Sequence, residues 1–151
     1  VANKETVMKR LALALALFLV GTLPALADPE SNKKAVIEFY DKALNQKDFE
    51  AASKYFGPRY IQHNPGAPDG IEGFKALIAQ RKEQFANAKS EIKRAFAEGD
   101  YVILHVHGVR EPGERGVAIV DIFRLENGKI VEHWDVVQPI PEKTANSNGM
   151  F

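Results

Sequence analysis

The stretch KIVEHWDVVQP, Lys129–Pro139, decides how the chain is read. Its residues alternate as a β-strand does, and counting by twos from Val131 gathers Val131, His133, Asp135 and Val137 on one face. Ile130, Glu132, Trp134 and Val136 then point the other way. A buried carboxylate without a partner costs several kcal/mol or neutralises. An imidazole and a carboxylate side by side on an otherwise apolar face therefore call for a chemical reason. Trp134, the single tryptophan, reads as packing or dimer surface.

Working outward, Asn127-Gly128 is a hairpin turn, so this strand pairs with a preceding one, Val117–Leu125. That strand carries Asp121 between Ile119 and Phe123, a second carboxylate on an apolar face. Tyr101–Val109 and Ile92–Ala97 complete a meander, with turns at Glu98-Gly99-Asp100 and Glu111–Arg115. Before residue 89 the period is helical. Ala35, Val36, Phe39, Tyr40, Ala43 and Leu44 define a first helix with Ser31 as its N-cap. Asp48 caps a second, short helix through Phe49, Ala52, Tyr55 and Phe56, stopped by Gly57-Pro58. A third runs from Ile71 to Ala88, with Phe74, Leu77, Ile78 and Phe85 on one side. Between the second and third lies a short extended piece, Arg59–Pro65. Helices followed by strands predict an α+β fold, the helices packed on one face of a curved, mainly antiparallel sheet.

The 151 residues, 45% of them hydrophobic, suit one domain. Met8-Lys9-Arg10, the apolar run Leu11–Val20 and Ala25-Leu26-Ala27 have the layout of a cleaved signal peptide over residues 1–27, with a retained N-terminal anchor as the alternative. The run is too short to span a bilayer, which needs about 20 residues. The domain is then 28–140, followed by a polar, flexible tail, 141–151. The expected location is periplasmic or secreted, off the membrane after cleavage. The leader holds three of the 20 basic and one of the 20 acidic side chains, so residues 28–151 carry a net charge of −2. Such a balance gives no footprint for nucleic acid. The chain has no cysteine, which excludes disulfides, thiol nucleophiles and thiolate metal sites.

The four histidines fall in strands or at a strand-like entry. His105 and His107 share a face opposite Val102, Leu104 and Val106. His133 shares one with Asp135, and His63 sits in Tyr60-Ile-Gln-His-Asn-Pro65. If helices and sheet enclose a cavity, these groups could converge there. Asp135 in such a cavity is a general base or acid, tuned by His133; a structural ion pair with Arg124 or Arg110 is the alternative. Asp121 could complete an acid/base pair or serve a cross-strand structural role. Histidines with a carboxylate also suit zinc, iron or manganese, but no spacing such as His-Glu-x-x-His occurs.

Tyr60-Ile-Gln-His-Asn-Pro65, Val120-Asp-Ile-Phe-Arg124 and Gly128-Lys-Ile-Val-Glu-His-Trp-Asp-Val-Val-Gln-Pro139 together resemble the SnoaL-like branch of the nuclear transport factor 2-like superfamily. The likeness covers residues 31–140 and is strongest to a subgroup described as aldol-condensation-catalysing. It implies a cone with a cavity between bent sheet and helices, in a homodimer built through the sheet. It also implies an acid/base aspartate on the last strand, which falls on Asp135, with His133 beside it and no metal or organic cofactor. Asn64 falls near a polar position lining the cavity. The resemblance thus points to a cofactor-free enzyme acting on a small carbonyl compound, by aldol condensation, cyclisation or isomerisation. Tyr60, His63, Asn64, His105, His107 and Asp121 are the expected substrate contacts. The alternatives are a non-catalytic binding or interaction module and a His-rich metal-binding variant, since one fold hosts many functions.

Overall fold

Asp28 and Pro29 start the first helix. Proline presets the helical φ and needs no N–H partner at this position, and the Asp28 carboxylate accepts from the Glu30 N–H. These two residues displace Ser31, the expected cap, which lies inside the helix and donates its hydroxyl to Asp28. The computed structural model describes residues 28–151, so the leader at 1–27 lies outside the described residues. Helix α1, Pro29–Tyr40, continues into a wider π-helical turn, Asp41–Asn45. Asn45 then clamps the start of the sheet, donating to the Ser90 carbonyl and accepting from the Ser90 N–H. Asp48 caps the short α2, Phe49–Ser53, as its spacing predicted.

Strand β1, Phe56–Gln62, begins earlier than expected and runs through Gly57-Pro58, which do not merely end a helix. Helix α3, Gly70–Gln84, stops before the predicted Ala88, because Phe85 leaves helical geometry and turns its ring to the cavity described below. Four long strands follow: β2, Lys89–Glu98; β3, Tyr101–Val109; β4, Val117–Glu126; and β5, Lys129–Pro139. Their sheet order is β1-β5-β4-β3-β2, antiparallel except for the parallel β1–β5 pair. The β4–β5 hairpin turns at Asn127 and Gly128, both at positive φ, the backbone that the Asn-Gly pair favours.

The helices cover one face of this sheet. Val36, Phe39 and Tyr40 of α1 and Phe74 and Ile78 of α3 meet Val102, Leu104 and Val106 of β3 and Phe123 and Leu125 of β4. Phe39 is the hub, edge-on to Phe56 at 5.2 Å and Phe123 at 5.9 Å and tilted on Phe74 at 5.5 Å. On β5 the simple alternation breaks once. Arg124 pairs with Glu132 and Leu125 with Ile130, leaving Val131 as the extra residue of a β-bulge. Ile130, expected on the outer face, is therefore in the core, while His133 and Asp135 keep the inner parity. The tail after Pro139 has no helix or strand, yet Phe151 lies against the rings of His105 and His107. No helix among the described residues is long and apolar enough to cross a membrane.

The segment between β1 and α3 folds back tightly enough to require a glycine. A Cβ on Gly73 would stand 2.7 Å from the Pro68 carbonyl oxygen and 2.8 Å from its carbon. Gly73→Ala is expected to displace this loop and destabilise the fold by about 1–3 kcal/mol, read from the urea midpoint.

Candidate active site

A cavity of about 860 Å³ opens between the sheet and helices α1 and α3, within the range of small-molecule sites. Much of its wall is apolar: Phe39, Leu44, Phe74, Leu77, Phe85 and Ile119. A hydrogen-bonded cluster of its polar groups lies where β4, β5 and the end of β1 meet.

The β4–β5 register sets Asp121 directly opposite Asp135, and Phe123 opposite His133. Like charges at such a cross-strand pair repel, so each carboxylate needs compensation. Asp121 is buried and has two partners. The Tyr40 hydroxyl donates to its Oδ2 at 3.0 Å, and His133 Nε2 lies 3.0 Å from its Oδ1. Asp135 is half-buried and held by the Asn64 side-chain amide, which donates to both carboxylate oxygens at 2.8 and 2.7 Å. Asn64 cannot be turned around, because its own Oδ1 accepts from the Gly66 N–H at 2.7 Å. Asp135 therefore pairs with an amide rather than with Arg124 or Arg110; Arg124 is engaged by Glu126 and Glu132.

Gln62 orders the rest of the network. Its Oε1 accepts from the Asn64 N–H at 2.9 Å, which fixes the amide, and its Nε2 donates to the Tyr60 hydroxyl oxygen at 2.9 Å. The same Oε1 lies 2.9 Å from His133 Nδ1, so that ring nitrogen must donate. The other, Nε2, faces Asp121 Oδ1, and this contact is a hydrogen bond only when a proton lies between them. Tyr60 already accepts from Gln62, so its own O–H is free to point at a ligand. Both phenols are kept neutral: burial, then the nearby Asp121, raises Tyr40 well above its ordinary value, and burial with Asp121 and Asp135 raises Tyr60.

Of the expected contacts, Tyr60, Asn64, Asp121, His133 and Asp135 line this cavity, whereas His63, His105 and His107 do not. The core-facing set of β3 is Val102, Leu104 and Val106, so alternation turns His105 and His107 to the outer sheet face. There His105 meets Arg94, and His107 meets the Arg115 carbonyl. His63 stacks on Trp134 at 4.7 Å and bonds Glu132 at 2.8 Å. That bond, with Arg124, holds the Glu132 carboxyl below its ordinary value. The imidazoles thus do not assemble a His-rich metal site. Among the described residues, the group able to hold a metal is Asp121, His133 and Asp135, with donor atoms within 4.8 Å of one another. Tyr40 and Gln62 were not singled out from sequence. Alternation could have found Gln62, since Tyr60, Gln62 and Asn64 fall on one face and His63 on the other.

The buried phenols set an alkaline limit. Their pKa values are raised by folding, while in the unfolded chain they ionise near pH 10. Their contribution is complete below that pH and lost as the pH rises above it. The melting temperature is expected to fall above about pH 10, less steeply in Tyr60→Phe, as followed by circular dichroism across a pH series.

A SnoaL-like domain family matches residues 36–133. No curated protein matches the chain. Among solved structures, TsrD from Streptomyces laurentii is 24% identical, with a TM-score of 0.61 over 73% of this chain and 90% of its own. A candidate polyketide cyclase from Acidithiobacillus ferrooxidans is 20% identical, with a TM-score of 0.61 over 75% and 90%. An NTF2-like protein of unknown function from Cytophaga hutchinsonii is 26% identical, with a TM-score of 0.59 over 72% and 90%. A family match over more than half of the sequence, on a fold these structures share, places the chain in the SnoaL-like family of NTF2-like proteins.

Proposed function

We propose that this chain is an enzyme that moves protons at a carbon next to a carbonyl, with Asp135 as base and then acid and no metal or organic cofactor. One observation carries the reading. Asp135 faces the cavity with the Asn64 amide as its partner among the described residues, leaving lone pairs open to a ligand, whereas Asp121 is engaged by Tyr40 and His133. The likeness to a candidate polyketide cyclase supports it.

The chemistry follows from the geometry. An Asp135 oxygen takes the proton from the activated carbon, and the C–H electron pair moves into the enolate. Tyr60 donates its free O–H to the developing oxyanion. In an aldol-type step the enolate carbon attacks a second carbonyl, and Asp135 returns the proton to the new alkoxide. In an isomerisation, the proton goes back to a different carbon. Asp121, engaged by Tyr40 and His133, stays out of the proton transfer.

The leader pattern puts this enzyme in the periplasm or outside the cell. It acts as a homodimer through the outer sheet face, where Phe96, Tyr101, Ile103, Val120 and Val136 are exposed.

Asp135→Asn is expected to slow deuterium exchange into acetylacetone by about a hundredfold or more, with folding unchanged by circular dichroism; a wild-type rate would sink the assignment. Chelator should leave the wild-type rate intact. Activity lost to chelator and restored by manganese or zinc would favour a second reading, in which Asp121, His133 and Asp135 hold a metal. In the dimer interface, Val120→Glu should yield monomers by light scattering.

A further inference from the structure

Arginines at Arg59, Arg94, Arg115 and Arg124 each engage an acceptor or an acidic side chain. Arg81 and Arg110 have neither among the described residues, and both line the cavity. Arg81 projects from the last turn of α3 and is half-buried. Arg110 stands at the rim, its guanidinium 5.2 Å from the centre of the Phe85 ring. The rim carboxylate, Glu114, does not pair with them; its Oε2 takes the Glu111 N–H. Burial works against the charged form of Arg81; Tyr40 opposes this, Arg110 adds to it, and Asp121 and Asp135 oppose it at a distance.

A half-buried guanidinium that no carboxylate touches, with Asp121 and Asp135 acting on it only through space and a second cation nearby, is left free to bond an incoming anion. We propose that the cavity takes its carbonyl substrate as a carboxylate anion, received by Arg81 and Arg110. The substrate class is an oxo acid whose apolar body lies along Phe74, Leu77 and Phe85, with its activated carbon at Asp135. This rests on the acid/base reading above for the reacting end and is independent of it for the anion.

The chemistry also explains why such a site would need two arginines. A carboxylate entering beside Asp135 and Asp121 is repelled, and a planar guanidinium can offset this with two parallel hydrogen bonds. Lysine supplies the charge but not the fork, so Arg81→Lys should retain part of the preference and Arg81→Gln none.

The test compares acids with their uncharged esters on the full chain. Acetoacetate, benzoylacetate and phenylpyruvate are titrated beside their methyl esters by calorimetry at low salt. Each acid is expected to bind about tenfold tighter than its ester. Arg81→Gln should abolish this difference while leaving ester affinity and melting temperature near wild type. Esters binding as well as acids, a preference that survives Arg81→Gln, or no binding by any acid at tens of millimolar would each overturn the proposal. Deuterium exchange into neutral acetylacetone separates the two readings. Exchange without acid preference removes the anion site alone, and acid preference without exchange removes the acid/base role alone.

Discussion

The constraint on which the site depends is the β4–β5 register, which places two carboxylates face to face across neighbouring strands. Cross-strand neighbours of like charge repel, and in a partly dry cavity the repulsion is weakly screened. Everything nearby reads as a response. Tyr40 reaches from α1 and His133 from β5 to engage Asp121, and Asn64 comes from the loop after β1 to hold Asp135. Because the two carboxylates are compensated differently, they become chemically distinct. Both line the cavity, but Asp121 is buried and bonded to Tyr40 and His133, and Asp135 is half-buried and bonded to an amide.

Three separated segments must meet for this to work, and the fold supplies the meeting place. Strand β1 joins the sheet in parallel beside β5, bringing Gln62 next to His133 and Asn64 next to Asp135. The loop that follows is held by the Asp69 carboxylate, which accepts from the Gln62 N–H at 2.8 Å, and by the close approach of Gly73 to Pro68. Gln62 matters beyond its own contacts. Its amide orientation, set by a backbone N–H that can only donate, propagates to His133, whose Nδ1 must then donate and whose Nε2 faces Asp121.

Much of this was legible in the chain before folding. The period change near residue 89, the Asn-Gly hairpin and the Asp48 cap are local signals, and local signals survive into structure. Alternation correctly put His133 with Asp135, because the one bulge of β5 lies before them. The same bulge moved Ile130 into the core, and a bulge leaves no mark in a pattern of period two. His105 and His107 were expected near the cavity because of their chemistry, although Val102, Leu104 and Val106 already pointed the other way. An uninterrupted apolar set outranks two polar residues in choosing which face is buried, since apolar burial drives the packing.

By itself, then, the sequence determined the elements, their order, the α+β class and the pairing of an imidazole with a carboxylate on one strand face. These follow from short-range periodicity and turn chemistry. Only the tertiary structure decided which histidine joins the aspartates, that Tyr40 and Gln62 complete the network, and that Arg81 enters the same cavity unpaired. Those contacts join residues separated by up to 81 positions. They depend on strand register and helix placement, which no local pattern encodes.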